Sequence, residues 1–445
     1  MSIGTLDLES VIDSLRVTRF QIAIVTLCMM VAMVDGFDTQ AIALAAPEIA
    51  AAWQAPPAAF GLVFGAGLLG GLLGAMMFGT AGDSYGRKPA LLAAVLLFSL
   101  VSLLTPFAAS IPGLLLIRLV TGLGLGGALP CIISITSEYA PRRLRATLVS
   151  LMFCGFPLGA VVGGVAAARM IPAWGWPSLF FAGSAIPLLL LPLLARGVPE
   201  SARFLALRGR EEAVVRILAR MQCAELWNGR LGGAPAESRS PVASLFSGGR
   251  RAGTLLLWVT LFLSLLLTYF LINWIPILAR QSGIGIQTAV LAVSALNLGA
   301  IGGCLAIGRL VDRYGPALPI AAGFACGAVA IALIGASDGA GGLLLGLALL
   351  AGLFSIGAQM CTIALCSSFY ETSLRATGVG WAIGVGRIGA VVGPVLGGVL
   401  LSSGVPVQSL FFLVGAMSAA AAIAMLAMGR LALRPAASAE EGASC

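Results

Sequence analysis

Histidine is absent from the 445 residues, and lysine occurs only at position 88. The first absence removes His-based general acid–base catalysis, histidine metal ligation and imidazole proton relays at once. Charge is scarce as well: 26 basic and 18 acidic residues make up 10% of the chain, where a soluble domain carries about 25%. With 59% hydrophobic residues and a mean hydropathy of +1.03, that scarcity excludes an ordinary cytosolic enzyme. The nine cysteines include no C-x-x-C pair and lie mostly inside apolar runs, so they are expected to be reduced packing residues. The first nineteen residues lack the apolar core of a signal peptide. Asp7, Glu9, Asp13, Arg16 and Arg19 make them an amphipathic cytoplasmic lead-in instead. No nucleophile–base or metal-ligand constellation stands out, so no catalytic activity, metal or cofactor is expected.

What the chain has in abundance is apolar length. A hydrocarbon core takes about 20 residues of helix. Twelve such runs are legible, at 20–45, 59–80, 90–109, 113–136, 147–167, 177–195, 254–278, 288–308, 317–336, 341–366, 377–401 and 407–429. The 58 glycines and 22 prolines suit helices that pack closely and bend in a membrane. The runs form two similar halves. Gly79-x3-Asp83-x2-Gly86 returns as Gly308-x3-Asp312-x2-Gly315 at an offset of 229. Leu144-Arg145-Ala146-Thr147 returns as Leu374-Arg375-Ala376-Thr377, and Gly159-Ala160-Val161-Val162-Gly163 as Gly389-Ala390-Val391-Val392-Gly393, both at 230. The predicted fold is an all-α membrane protein of twelve transmembrane helices in two six-helix bundles, 20–195 and 254–429. Residues 1–19 form a cytoplasmic N-terminal segment, 196–253 a cytoplasmic linker and 430–445 a cytoplasmic tail.

Outside the runs, 22 basic residues fall in segments that are inside if the N-terminus is cytoplasmic, and only Arg169 and Arg280 fall outside. The positive-inside rule therefore places both termini in the cytoplasm. The net charge of +8 is topological and does not call for nucleic acid. Within the linker, Val214, Ile217, Leu218 and Met221 recur at helical spacing, and Arg208, Glu212 and Arg216 form an i, i+4 ladder. They predict an amphipathic helix along the cytoplasmic surface, followed by a flexible stretch over 228–240.

Four charges remain inside the runs: Asp35, Asp38, Arg118 and Arg387. Each costs about 2.5–3.5 kcal/mol on insertion scales, so each is a functional candidate by default. The set is neutral, as a mutually paired binding cavity requires; the competing reading is ion pairs that lock helices together. At ~1.5 Å per residue, Asp35 lies roughly 22 Å from the cytoplasmic end of the first run and Arg118 about 8 Å from the external end of the fourth. Asp35 and Asp38 are i, i+3 and share one helix face. Projected by 230, Arg387 falls on Pro157 and Arg118 on Ala348, so the scaffold is repeated while its buried charges are not. A carboxylate in low dielectric beside a second one holds a proton more readily, so the two acids are expected to share one. Protonation would free an arginine, which could then take a substrate carboxylate bidentately. Proton and monoanion would cross together with no net charge.

Gly79-x3-Asp83-x2-Gly86-Arg87-Lys88 resembles the signature loop between the second and third helices of the major facilitator superfamily. The resemblance implies a cytoplasmic gate built from Gly79, Asp83, Gly86, Arg87, Lys88, Glu138 and Arg142, and from Asp312, Arg313 and Arg375 in the second half. That second copy departs from the pattern at Pro316, which replaces the basic residues. Within the superfamily, Asp35-Gly36-Phe37-Asp38 resembles the acidic motif of the bacterial aromatic acid/proton symporters, which include the 4-hydroxybenzoate and protocatechuate carriers. Further similar stretches are Arg118 with the glycine string 122–127, Ser137-Glu138-Tyr139, Leu151-Met152-Phe153-Cys154-Gly155, Asn273-Trp274, and Arg375-Ala376-Thr377-Gly378 leading to Gly386-Arg387. Cys131 departs from it, standing where an asparagine is expected.

This resemblance implies proton-coupled uptake, by alternating access, of an aromatic carboxylate such as 4-hydroxybenzoate, protocatechuate or a related benzoate. It implies a multi-pass monomer of the bacterial inner membrane; one lysine beside 25 arginines suggests GC-rich coding. Asp35 and Asp38 would couple the proton, and Arg118 and Arg387 would bind the carboxylate. Phe37, Asn273, Trp274 and Trp381 are the remaining candidates, the aromatics for stacking on the ring.

Pro199-Glu200-Ser201-x-Arg203 also resembles the sugar-porter signature. Sugars need many neutral hydrogen-bonding side chains, and the spans offer few, among them Gln40, Asn273, Asn297 and Gln359. Two arginines suit an anion better. A carrier of another organic acid is the nearer alternative, and a membrane sensor would be expected to bring a signalling domain.

Overall fold

The computed structural model describes residues 8–14, 17–221, 223, 227, 242–247, 250–336, 341–370 and 374–431. Twelve helices among them are long and apolar enough to cross a membrane. In chain order they are α1 (Arg19–Trp53), α2 (Pro57–Tyr85), α3 (Arg87–Phe107), α4 (Ile111–Tyr139), α5 (Thr147–Trp174) and α6 (Pro177–Gly197). The second set comprises α7 (Arg251–Gln281), α8 (Ile286–Tyr314), α9 (Ala317–Ala336), α10 (Gly341–Cys366), α11 (Thr377–Ser402) and α12 (Gln408–Leu431). The all-α, twelve-helix expectation holds. The helices extend past the apolar runs, α1 most of all. Hydropathy falls off at Pro47 and Glu48, but the alanine-rich stretch to Trp53 has high helix propensity and continues the coil. Residues 228–240, read as a flexible stretch, lie outside the described residues.

The chain divides into two compact units, one of residues 1–49 and 66–236 and one of 50–65 and 237–445. The outer end of α1 and the start of α2 thus cluster with the second unit, where a methyl on Gly61 would collide with backbone at Pro394 and Gly398. In the first unit, α5 crosses α1 at Gly159, where any Cβ would overlap the Met33 carbonyl. In the second, α11 crosses α7 at Gly389 against the Phe262 carbonyl. These two glycines open the repeated motif, so the internal repeat has a direct physical cause: each half needs the same close helix crossing. Inside α10 the coil widens into a π turn over Gly352–Ile356.

Three short helices, Leu8–Ser14, Ala202–Leu207 and Glu211–Arg220, attach to the cytoplasmic end of the first unit. The predicted amphipathic helix is the last of these. Its apolar side is covered by protein: Val214, Leu218 and Met221 are buried in one core with Val11, Ile24 and Ile135. Arg220 lies over the Phe20 ring at 4.3 Å.

Candidate functional site

The predicted charges of the first unit lie on neighbouring helices and are withdrawn from solvent: Asp35 is 4% exposed, Asp38 1% and Arg118 2%. From α4, Arg118 donates through Nη2 to Asp38 Oδ2 at 3.1 Å and to the Asp38 carbonyl at 3.2 Å. Ser102 of α3 donates its hydroxyl to Asp38 Oδ1. Asp35 has a different donor, Thr39 Oγ1 at 3.1 Å, one turn along the same helix. Side chains of three helices therefore converge on Asp38.

Arg118 is not fully used. Its Nε and Nη1 are buried and have no hydrogen-bond partner among the described residues. Unmet donors on a buried guanidinium are costly, because a charged group has lost its water without replacement. Phe37 turns the other way. Only 6% exposed, its ring rests against Gly163 of α5 and Gly183 of α6, two positions where a Cβ would crowd it.

In the second unit, Arg387 is half-buried in α11, and no ion pair joins it to a described carboxylate. It shares a helix face with Val391 and Val395, which pack on Gly65. Trp274 is fully buried, donates Nε1 to the Pro394 carbonyl at 3.1 Å and sits edge-on to Phe64. Asn273 is 4% exposed and spends Nδ2 on the Tyr269 carbonyl at 2.6 Å. Trp381 lies two turns before Arg387, is 47% exposed and stacks on Trp258 with centroids 6.0 Å apart. Thr268 of α7 donates to Gln359 Oε1 of α10 at 2.7 Å, a buried polar link between helices.

The predicted gate of the first half is a connected cluster. Arg87 reaches Glu138 at 3.4 Å and Asp83 at 3.8 Å. Glu138 also accepts from Ser201 Oγ at 2.9 Å and from the Arg203 amide at 2.7 Å. Glu200 is the residue the motif reading missed. Its Oε1 accepts the backbone amides of Arg87 (2.8 Å) and Lys88 (3.2 Å), capping the start of α3 from a distant segment. The signal was present, since Glu200 stands in the stretch read as a sugar-porter signature. Lys88 Nζ goes to the Ala195 carbonyl, and Gly79 has no neighbour within 4 Å. Asp312 and Arg313 are exposed, with Arg313 over the Tyr314 ring at 5.4 Å. The side chains of Arg142 and Arg375 lie outside the described residues.

Gly86 makes this cap possible. Its φ of +109° is a conformation that only glycine adopts readily, and a Cβ there would overlap the Glu200 carboxylate. Gly86→Ala is expected to cost about 1–3 kcal/mol, read as a lower thermal midpoint of the detergent-solubilised protein. An unchanged midpoint would refute the capping role.

The Major Facilitator Superfamily model matches residues 28–386. The chain is 39% identical to the 4-hydroxybenzoate transporter PcaK of Pseudomonas aeruginosa, over 91% of each chain. It is 38% identical to a gallate transporter of Pseudomonas putida over 96% of each. Against the 3-(3-hydroxy-phenyl)propionate transporter of Escherichia coli it is 39% identical, over 85% of this chain and 86% of that one. In fold it is similar to the E. coli xylose transporter XylE, with a TM-score of 0.71 at 18% identity over 92% of this chain and 97% of that one. A bacterial homologue of the lysosomal transporter Spinster gives 0.72 at 15% identity over 94% and 98%. With twelve spans, a model match over most of its length and full-length relatives of this kind, the chain belongs to the Major Facilitator Superfamily, within its aromatic acid/proton symporter family.

Proposed function

We propose that this protein takes up an aromatic carboxylate such as 4-hydroxybenzoate, protocatechuate or a related benzoate, together with a proton, by alternating access across a bacterial inner membrane. The observation that carries the reading is Arg118, buried and paired through one nitrogen to Asp38, with Nε and Nη1 unused. While Asp38 is ionised the pair is neutral and attracts an anion weakly. Protonation of Asp38 leaves the guanidinium uncompensated in a low-dielectric site, and a substrate carboxylate then restores neutrality through two parallel N–H donors. Loss of the proton on the cytoplasmic side reverses the preference and releases the anion. A monoanion with one proton moves no net charge.

Arg387, which has no described counter-charge in its own unit, is the second anion-binding candidate. Trp381 is the aromatic candidate with an exposed surface, while Trp274 and Phe37 are packed and act on the cavity only through their shape. The names of the relatives support an aromatic acid as substrate. The cluster of Arg87, Glu138 and Glu200 fits a latch at the cytoplasmic end of the first unit.

The test is uptake of radiolabelled 4-hydroxybenzoate into proteoliposomes under an imposed pH gradient, with other benzoates, glucose and shikimate as competitors. Accumulation that benzoates inhibit and glucose does not is the expected result. Failure of every benzoate to compete would overturn the substrate assignment.

A further inference from the structure

Asp38 is sealed in protein, so its proton needs a route. Ser102, its hydroxyl donor, occupies the last turn of α3. One turn further toward the outer end comes Thr105, fully buried, with an Oγ1 that has no partner among the described residues. Across from them runs α6, which packs along α3 and its terminal 3-10 turn. Gly183 of α6 faces the acid closely enough that a Cβ there would stand 3.9 Å from Asp38 Oδ1. The next residue, Ser184, is also fully buried with an unpartnered Oγ. Both orphan hydroxyls are in the outer third of the first unit, close to the level of Asp38 and Arg118.

Most Ser and Thr hydroxyls in these spans back-bond to a carbonyl three or four residues earlier, as Ser99, Thr121, Thr260 and Thr362 do. That is the cheap solution for a hydroxyl in an apolar medium. Thr105 and Ser184 do not use it and bear the cost of a buried, unsatisfied polar group. A hydroxyl left free in this way can accept a proton on one lone pair while giving up its own, which a back-bonded hydroxyl cannot do without rearranging.

The geometry points to a proton relay inside the first unit, in which Ser102, Thr105 and Ser184 carry the proton between the outer face and Asp38. The inference rests on the proposed role of Asp38 as the proton carrier. On loading, a proton from the external water joins an outer hydroxyl oxygen, that hydroxyl passes its own proton inward, and Ser102 gives its proton to Asp38 Oδ1. Each oxygen ends with as many protons as it began with, and the carboxylate gains one. Arg118 of α4 and Asp35 of α1 are the charged groups nearest this path, and α3 and α6 bring only hydroxyls and glycine to it. The proton therefore has an entry that does not pass through the substrate anion.

The experiment compares Thr105→Val with Ser184→Ala, singly and together, in proteoliposomes. Proton-driven uptake of 4-hydroxybenzoate is measured beside counterflow exchange at equal pH, which needs no net proton release. Expected for the double variant is uptake slowed about tenfold, counterflow within twofold of wild type, and a larger slowing in D2O. Equal loss of uptake and counterflow would make the hydroxyls structural, and unchanged uptake would remove the relay; either overturns it. Ser102→Ala should show the same split. Asp38→Asn serves as the reference: if it still accumulates substrate, the underlying reading of Asp38 fails, whatever the hydroxyl variants do.

Discussion

Asp38→Asn is expected to abolish accumulation of substrate against a gradient while leaving counterflow exchange in place. Asparagine keeps the shape of the side chain and can still accept from Ser102 and Arg118, but it cannot release a proton. The arginine then stays uncompensated on both sides of the membrane, so the anion binds without regard to pH. The same substitution should destabilise the apo protein. Asp38 and Arg118 are both at most 2% exposed, and removing one charge of a buried pair costs about 3–5 kcal/mol because the other is stranded. The thermal midpoint in detergent should fall, and saturating substrate should raise it more than in wild type, since the ligand supplies the missing negative charge. Arg118→Gln added to Asp38→Asn should restore the midpoint but not transport, because a neutral pair strands no charge. Wild-type accumulation by Asp38→Asn would refute the coupling role; a midpoint that the second substitution fails to raise would refute the pairing argument.

Arg387→Gln should behave in the opposite way. The guanidinium is half-buried and no described carboxylate depends on it, so its removal strands nothing. Stability should stay within about 0.5 kcal/mol of wild type. Affinity for the aromatic acid should fall by about 1.5–3 kcal/mol, the value of a hydrogen bond to a charged group, or roughly 10- to 150-fold in Kd. Arg387→Lys keeps the charge but loses the two-pronged donor geometry, so an intermediate affinity is expected. Substrate titration with the purified protein separates these outcomes. An unchanged Kd for Arg387→Gln, or a loss of stability like that of Asp38→Asn, would remove Arg387 from the anion site.

The opposite expectations for two buried arginines arise from a distinction that the linear chain does not contain. Arg118 and Arg387 are equivalent as charges inside apolar runs, and both were legible for that reason. Asp35 and Asp38 stand i, i+3 on one helix and were equally inseparable. Ser102 and Arg118, 64 and 80 positions further along, distinguish them by both binding Asp38. Serine in a transmembrane helix is too ordinary to mark Ser102, Thr105 or Ser184 as special. Aromatic identity likewise nominated Phe37 and Trp274, whose burial shows them to be packed between helices. Glu200 belonged to a visible motif, but its cap on α3 exists only because the chain returns 113 residues later to Arg87.

Sequence alone determined the twelve helices, their orientation, the two-fold repeat and the four buried charges. Each of these follows from terms that act locally and add along the chain: the transfer energy of a 20-residue window, the charge bias of short loops and the spacing of small residues on one helix face. The tertiary structure decided which acid holds the arginine, which donors remain unmet and which hydroxyls forgo their back-bonds. Those depend on distances of about 3 Å between helices far apart in sequence, and the strength of a hydrogen bond or ion pair is set at that scale.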